Sequence, residues 1–322
     1  MKTFDTIHIV KGRKFLFKVE SSQDLSDFIK YENLRFEIWG DPRDSLAGVR
    51  NLGVENYFHD GSNCLIGVYV EDDDGKFEED EAHLVGFAYG YVGVKDKNLG
   101  FRDVENIIFY SQYVGVRKDY QNYKVGVLIK EFQKKVVWDL YGLAIITCTY
   151  DPLVGVNAYR NIHLLRMSVS EYCVSRYQGF EGNLNRADVP SDRLAILWDL
   201  REKGLPADYD LKKLVESHRF VVHAEFGDVA GKNGPLRTEL ATSANLDVDD
   251  VHLLIEVPFD FYKILQETDV PDESVRRIPL DWRMETRKAF QELLGRGYRV
   301  LDFNYLKTEE RIRDFYIMKS PS

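Results

Sequence analysis

The sequence predicts an α/β protein of the α+β type, with a central mixed, twisted sheet flanked by helices and a C-terminal α/β extension. Short apolar runs of strand length alternate with longer segments of helical periodicity along the 322 residues. Two strand-like runs, 64–70 and 83–92, flank an acidic turn and predict an antiparallel hairpin. A further run, 143–149, contains only apolar residues and threonine, as expected for a central strand.

The remaining elements follow from the same patterns. Further strands are predicted at 14–20, 106–114, 218–226, 251–257, 297–303 and 313–318. Helices are predicted at 23–38, 125–142, 156–167 and 280–294. In the second of these helices the residues on the predicted buried side are Val125, Leu128, Ile129, Phe132, Val136 and Leu140.

Composition changes along the chain suggest three parts. The main domain is expected to span residues 14–185, and a second α/β region is expected at 216–322. Between them, residues 186–215 contain several Asp residues, two Pro and one Gly, and are interpreted as a connector. Residues 40–62 are rich in Gly, Asp and Asn, and are expected to be mostly loop.

Charge and hydropathy exclude several classes of protein. The formal net charge of −10 argues against binding of nucleic acids or anionic membranes, since both are polyanions. No stretch approaches the roughly 20 apolar residues of a membrane span. The N-terminus lacks the apolar core of a secretion signal, so a cytoplasmic location is expected.

The metal-binding residue types show no ligand spacing. Cys64, Cys148 and Cys173 form no C-x-x-C pair and are expected to be buried free thiols. The seven histidines show no metal-ligand spacing either, so no metal site is expected. The acidic turn at 71–81 lacks the ligand positions of a calcium loop, and a solvated hairpin tip is the preferred interpretation.

The segment 106–167 carries the most chemical information. It reads as strand, basic polar turn, amphipathic helix, strand and short helix. The turn, residues 116–126, places backbone N–H groups and several cations at the start of a helix, which suits a phosphate-bearing ligand.

At this segment the sequence resembles the GNAT (GCN5-related N-acetyltransferase) superfamily, whose motif reads roughly L-x-V-x-P-x-Y-[QR]-x-x-G-x-[GA]-x-x-L. The matching residues are Val114, Val116, Tyr120, Gln121 and Gly126. The first motif glycine is replaced by Lys124, and the motif proline by Lys118. Glycine at position 124 would allow a positive φ and a close approach of phosphate, whereas lysine supplies a cation.

The resemblance implies a GNAT fold and acetyl-CoA (or another acyl-CoA) as co-substrate. It assigns cofactor binding to Val114, Val116, Gln121, Asn122, Tyr123, Lys124, Val125, Gly126, Val127 and Asn157. In this family the strand before the turn diverges from the next strand and pairs with the pantetheine arm, a role that falls here to Gln112, Val114 and Val116. Arg117, Lys118 and Lys130 are expected to neutralise the phosphates.

A second block resembles a bacterial and archaeal subgroup of the same superfamily. It consists of the D-P-L run at 151–153, the N-A pair at 157–158 and a later P-x-D-R run at 190–193. The family's general-acid tyrosine is missing, because the matching positions are Asn161 and Ile162. The candidate catalytic residues are Asp151, which could equally cap the following helix, and Tyr159, which could equally be a core residue.

The predicted function is acyl-CoA-dependent N-acylation: direct transfer of acetyl to a small-molecule or peptide amine in a ternary complex. The alternative is a non-catalytic CoA-binding sensor or scaffold, which Lys124 and the missing tyrosine favour. The C-terminal region is expected to be a half-GNAT that walls the acceptor cleft. Neither the acceptor nor the oligomeric state can be read from the residues.

Overall fold

A computed structural model describes residues 4–41, 48–56, 60–177, 181–204 and 206–321. The chain divides into two compact units, and each is described by itself. The first consists of residues 1–148 with 198–202, and the second of residues 149–197 with 203–322.

The first unit is built on a mixed sheet with three helices. Its strands are β1 (Asp5–Val10), β2 (Arg13–Val19), β3 (Asn63–Val70), β4 (Leu84–Val94), β5 (Ile107–Val116) and β6 (Ile145–Tyr150), the last contributing residues 145–148. Its helices are α1 (Ile29–Trp39), α2 (Val49–Glu55) and α3 (Val125–Asp139). The strands lie side by side in chain order; β1 to β5 are antiparallel, and β6 runs parallel to β5.

Burial in this unit follows the sequence pattern. Every residue of β3 is buried, because both faces of this strand are covered. On α3 the predicted stripe is confirmed at Val125, Ile129, Phe132 and Val136. One apolar cluster joins α1, α2, β3 and β4; its buried members are Phe28, Tyr31, Leu34, Leu52, Leu65, Tyr69, Leu84, Phe87 and Tyr89.

The second unit holds shorter sheets. Its strands are β7 (Ser168–Cys173), β8 (Arg193–Asp199, of which 193–197 belong here), β9 (Phe220–Val222), β10 (Ala224–Gly231), β11 (Gly234–Ala241), β12 (His252–Val257), β13 (Arg299–Lys307) and β14 (Ile312–Lys319). Four strands pair in the order β13-β14-β12-β9, while β7 pairs with β8 and β10 with β11.

Helices of the second unit include both short and long segments. They are α4 (Gly155–Ala158), which continues as a π-helical turn over Tyr159–Leu164, α5 (Leu211–Glu216), α6 (Phe261–Glu267), α7 (Glu273–Arg276) and α8 (Ile278–Gly295). Helix α8 confirms the predicted C-terminal helix, and Trp282, Ala289, Phe290 and Leu293 form its buried side as expected.

Several sequence-based expectations are wrong in detail. The predicted connector 186–215 contains β8, in which Leu194, Ile196 and Trp198 are buried at alternate positions. The predicted loop 40–62 contains α2, while residues 42–47 and 57–59 lie outside the described residues. In both stretches burial against the rest of the unit outweighs the local turn-forming composition.

Two further expectations are confirmed. The protein is of mixed α/β class, with helices packed on a mixed sheet. Cys64, Cys148 and Cys173 are free and buried, as their apolar neighbours predicted. Within the described ranges, none of the helices has the length and apolar character needed to cross a membrane.

Candidate functional site

The turn between β5 and α3 has the backbone geometry of an anion site. Residues Lys118–Tyr123 form a short 3₁₀ segment, and Lys124 then adopts the left-handed conformation, with φ of 58° and ψ of 17°. This conformation is the one that the family's glycine would adopt readily. Lys124 therefore adopts the expected backbone conformation at a cost in the free energy of folding, because a left-handed φ is disfavoured for residues with a Cβ.

The first turn of α3 leaves backbone donors available. The earliest bonds inside the helix run from the N–H groups of Val127 and Leu128 to the carbonyl of Lys124, at 3.0 and 3.2 Å. The N–H groups of Val125 and Gly126 lie at the N-terminus of the helix, ahead of the first helical hydrogen bonds. N–H groups at this position can bind an anion. Val127 was assigned to the cofactor as well, but its N–H already has a partner within the helix.

Cations surround this turn. Lys118 and Lys124 are exposed on it. From the β1–β2 hairpin, the Lys11 ammonium lies 5.5 Å from the centre of the Tyr123 ring, and the Arg13 guanidinium lies 5.8 Å from the same ring. No sequence pattern pointed to Lys11 and Arg13, because only the pairing of β2 in the sheet brings them to the turn. Together these side chains make the surroundings of this turn locally positive in a protein whose formal net charge is −10.

Two cations assigned to the phosphates lie elsewhere. The guanidinium of Arg117 forms an ion pair with Glu37 at 3.2 Å and donates to the carbonyl of Ala82. Lys130 is only 2% exposed, and its ammonium donates to the hydroxyl of Ser111 at 2.7 Å. The expectation that Lys130 neutralises phosphates is therefore wrong, because the side chain runs from α3 into the sheet.

The two central strands separate at one point, which we call the fork. Strands β5 and β6 pair at Phe109 with Ile146 and at Tyr110 with Thr147, and their pairing register ends there. Strand β5 continues for six more residues, 111–116, in register with β4 alone. The edge of β5 beyond the fork thus offers backbone groups to an extended ligand. Val114 and Val116, both half-buried, lie on this edge as the resemblance implies.

A β-bulge lies just beyond the fork. Strand β4 advances one residue, from Gly90 to Tyr89, while β5 advances two, from Ser111 to Tyr113. Gln112 is therefore the extra residue, and its side chain is exposed. The bulge turns the local backbone of β5 where the pantetheine arm was expected to pair. Of the other assigned residues, Gln121 and Asn122 are exposed, and Gln121 donates to the carbonyl of Val116 over 3.4 Å.

Asp151, in the second unit, is held in a buried ion-pair network. Its carboxylate accepts hydrogen bonds from Arg283 at 2.5 Å and Arg193 at 3.2 Å, and also from the Leu153 N–H at 2.9 Å. Burial alone would raise the pKa of Asp151, but the two guanidiniums outweigh burial and hold it below its ordinary value. A carboxylate in this state is a weak proton acceptor, which argues against Asp151 as general base.

Tyr159 and Asn157 lie on α4 and the π-helical turn that follows it. The Tyr159 ring stacks on His163, with ring centres 4.7 Å apart, and burial raises its pKa, so the phenol stays protonated. The side-chain oxygen of Asn157 accepts a hydrogen bond from Arg160 at 2.9 Å. Tyr159 keeps the protonation state of a general acid, and its catalytic role stays a prediction.

Asp314, in the second unit, is a carboxyl group with a raised pKa that the sequence did not single out. Asp314 on β14 is 7% exposed, and burial, together with Glu239 and Glu256, raises its pKa to about 7. It lies against the backbone of Gly155, where a Cβ would approach its Oδ2 to 2.2 Å. A carboxyl of this pKa can gain or lose a proton near neutral pH.

Comparison with known proteins gave matches only among solved structures. No protein-family model matches the chain, and no curated protein matches it. The ribosomal-protein-S5-alanine acetyltransferase from Vibrio fischeri is 13% identical, with 64% of this chain and 100% of that chain covered and a TM-score of 0.43.

Two further matches are of similar quality. NAA60 from Arabidopsis thaliana, solved with acetyl-CoA, is 13% identical over 58% of this chain and 99% of that chain, with a TM-score of 0.42. The ribosomal-protein-S18-alanine N-acetyltransferase from Escherichia coli is 11% identical over 60% of this chain and 99% of that chain, with a TM-score of 0.38.

Proposed function

We propose that this protein is an acyl-CoA-dependent N-acyltransferase of GNAT type that transfers acetyl from acetyl-CoA to an amine. The observation that carries the proposal is the coincidence of two features in one unit. The pairing of β5 with β6 ends at the fork, and β5 then leads into a left-handed turn and the first backbone N–H groups of α3. An extended pantetheine arm with a terminal pyrophosphate has complementary chemistry.

The residues of the first unit would hold the co-substrate as follows. The N–H groups of Val125 and Gly126 bind the pyrophosphate, with the α3 dipole and Lys124 adding favourable charge. The backbone of β5 at Gln112, Val114 and Val116 pairs with the pantetheine amides. Bound acetyl-CoA supplies an activated thioester carbonyl, and the protein's part is to orient that carbonyl and exclude water.

Transfer to an amine also needs removal of a proton from the nucleophile. Asp151 is unsuited to this task because its pKa is held low by Arg283 and Arg193. In the proposal, water takes the proton from the amine, and Tyr159, whose raised pKa keeps it protonated, donates its proton to the departing CoA thiolate. The acceptor is a small-molecule or peptide amine, as the sequence resemblance implies.

The test is binding followed by turnover. CoA, acetyl-CoA and longer acyl-CoAs are titrated against the protein by thermal shift and calorimetry, and thiol release is then measured across a panel of amines. Stabilisation by acetyl-CoA together with thiol release supports the enzyme. Stabilisation without thiol release favours the CoA-binding sensor. If no CoA species binds, both the enzyme and the sensor hypotheses are contradicted.

A charge-reversal pair localises the binding. Lys124→Glu should weaken CoA binding about tenfold or more, because a charge-assisted contact to phosphate is lost and repulsion replaces it. Lys97→Glu makes the same charge change on an exposed loop of the same unit and should leave affinity nearly unchanged. Equal losses in both variants would show that only net charge matters and would contradict a site at the turn.

A further inference from the structure

Strand β1 forms one edge of the sheet in the first unit. Among the strands that the structure describes, it pairs with β2 alone. Its register with β2 runs one to one from Asp5 to Val10 without a bulge, and the strand contains no proline. An edge of this kind presents N–H and C=O groups that can pair with another chain, and natural proteins usually protect it. The regular edge of β1 therefore needs a physical explanation.

Every second residue of β1 directs its backbone groups away from β2. The N–H of Val19 donates to the carbonyl of Phe4 at 3.0 Å, which makes these two residues a hydrogen-bonded pair. Hydrogen-bonded and non-hydrogen-bonded pairs alternate along an antiparallel ladder. The N–H and C=O groups of Asp5, Ile7 and Ile9 therefore lie on the side of the strand that faces away from β2.

Two exposed isoleucines accompany these backbone groups. Ile7 is 53% exposed and Ile9 is 67% exposed, and the alternation of a strand places both side chains on the same face. Isoleucine is enriched in strands because its branched side chain packs well against neighbouring strands. On β1 these two side chains form a small apolar surface in contact with water. Pairing with another strand would remove part of this surface from water.

Strand β7, in the second unit, has the features of a protected edge. Among the described strands it pairs with β8 alone. A register shift between Val169 and Glu171 interrupts this pairing, and the exposed side chains of the strand are those of Ser168, Ser170 and Glu171. A bulge and a charge at an edge discourage pairing with another chain. In contrast, β1 combines a regular register with two exposed isoleucines.

The sequence of β1 is complementary to itself in an antiparallel arrangement. With a two-fold axis at His8, Ile7 of one copy lies opposite Ile9 of a second copy. Both of these cross-strand pairs would be hydrogen-bonded, because Ile7 and Ile9 carry the backbone groups that face away from β2. The four isoleucines would then pack against one another on one face of the joined sheet.

The charges at the ends of β1 favour this orientation. Asp5 is exposed at one end of the strand, and Lys11 is exposed in the turn that follows the other end. Antiparallel pairing brings the Asp5 end of each copy to the Lys11 end of the other, whereas parallel pairing would bring like charges together. A register with Ile7 opposite Ile7 would instead place each Asp5 carboxylate opposite Ile9.

We propose that this protein forms a two-fold symmetric dimer in which β1 pairs antiparallel with β1 of a second copy, with Ile7 opposite Ile9. The inference goes beyond acyl transfer and does not depend on it. Each copy contributes one strand of six residues, which is less than the roughly 800 Å² per partner of a standard interface. We therefore expect a reversible equilibrium that shifts from monomer to dimer as the protein concentration rises.

Sedimentation equilibrium of the full chain measures this association. The wild type should change from the monomer mass to twice that mass between about 1 and 500 μM. Ile7→Lys should weaken the association about tenfold or more, because an edge lysine places a charge where the apolar contact forms. Val104→Lys makes the same kind of change at a 74% exposed residue of the same unit and should associate as the wild type does.

Cysteine substitutions test the register. The His8 residues of the two copies would form a non-hydrogen-bonded pair with Cα atoms about 4.5 Å apart, which suits a disulfide. His8→Cys should therefore give a disulfide-linked dimer under mild oxidation. Ile7→Cys would place the two cysteines on a diagonal, about 7–8 Å apart, and should cross-link several-fold more slowly. The three native cysteines are buried, so they should not interfere.

Folding controls make each outcome decisive. Ile7→Lys replaces an exposed side chain, so its melting temperature at low concentration should equal that of the wild type. If this variant does not fold, Ile9→Lys takes its place, since Ile9 is the more exposed of the two.

Three outcomes would overturn the proposal. The first is a wild type that stays monomeric over the whole concentration range, as it would if the edge served a strand of a different protein. The second is a dimer that a folded lysine variant leaves unchanged, because another surface would then join the copies. The third is faster cross-linking of Ile7→Cys than of His8→Cys, which contradicts the register.

Discussion

The guanidinium of Arg283 donates a hydrogen bond to the carboxylate of Asp151 over 2.5 Å, although 132 residues separate them in the chain. Arg283 is 1% exposed and Asp151 8%, so this ion pair lies in the interior of the second unit. Arg193 joins the same carboxylate from β8. The pair connects α8 with the segment that follows β6.

The first prediction concerns this pair. Asp151→Asn should destabilise the protein by about 3–5 kcal/mol, because it leaves two buried guanidiniums without their counter-charge. The urea midpoint, followed by fluorescence and circular dichroism, measures the loss. Glu105→Gln, which breaks the exposed pair between Glu105 and Arg201, should cost less than about 1 kcal/mol.

A normal stability for Asp151→Asn with a selective loss of turnover would contradict this view. It would restore Asp151 to the catalytic role that the sequence suggested. The comparison is informative because both substitutions remove a carboxylate that pairs with arginine, in the interior at Asp151 and at the surface at Glu105.

The second prediction concerns the backbone of Lys124. Lys124→Gly should stabilise the protein without ligand by about 1 kcal/mol, since glycine adopts the left-handed conformation without a steric penalty. The same variant should bind CoA more weakly, because the cation is lost. Differential scanning calorimetry and a CoA titration measure the two effects.

Lys124→Ala is the matched control for this position. It removes the cation but keeps a Cβ in the left-handed conformation, so it should weaken CoA binding without raising the melting temperature. If Lys124→Ala and Lys124→Gly are equally stable, the strain assigned to this residue is absent.

The third prediction concerns the pH dependence of stability. The pKa of Asp314 is raised in the folded protein to about 7, so the folded state holds this proton more tightly than the unfolded state. Protonation of Asp314 therefore adds to the free energy of unfolding. This contribution is fully present at pH values below the pKa of Asp314 in the unfolded chain, and it is lost as the pH rises through about 7. Asp314→Asn removes the titration, and should therefore be more stable than the wild type at pH 8.

The size of this effect follows from the pH interval. Each pH unit between 5 and 7 contributes about 1.4 kcal/mol, so the advantage of Asp314→Asn should grow by about 2–3 kcal/mol from pH 5 to pH 8. Urea unfolding at both pH values gives the difference. A difference between variant and wild type that is independent of pH would show that Asp314 titrates normally.

The fourth prediction concerns the glycines of β4. A Cβ at Gly90, beside the bulge, would lie 2.6 Å from the Tyr110 carbonyl oxygen and 2.4 Å from the Phe109 ring. Gly90→Ala should therefore cost about 1–3 kcal/mol and disturb the bulge, with weaker CoA binding as a consequence. Thermal melts with and without CoA test both effects.

Gly93 provides the control on the same strand. A Cβ there meets no atom within 4 Å, so Gly93→Ala should be neutral or slightly stabilising. Equal destabilisation by the two substitutions would point to a general intolerance of β4 and would contradict a specific constraint at the bulge.

Local patterns were enough to predict much of the fold. The apolar stripe from Val125 to Val136 predicted α3, and the mostly apolar run of β6 predicted a central strand. Such features depend on periodicity within one element. This periodicity can be recognised in the sequence without knowing what the element packs against. The same approach missed β8 and α2, where burial overrides turn-forming residues.

The candidate site, too, could be predicted from the sequence only in part. The sequence by itself determined the strand, turn and helix that form the anion site, together with its cations on the turn, because these residues are neighbours in the chain. Only the tertiary structure placed Lys11 and Arg13 beside the turn, paired Asp151 with Arg283 and buried Lys130 at the fork. Burial and ion pairing depend on contacts between distant segments, and no periodicity in a single segment encodes which partner a charge will meet.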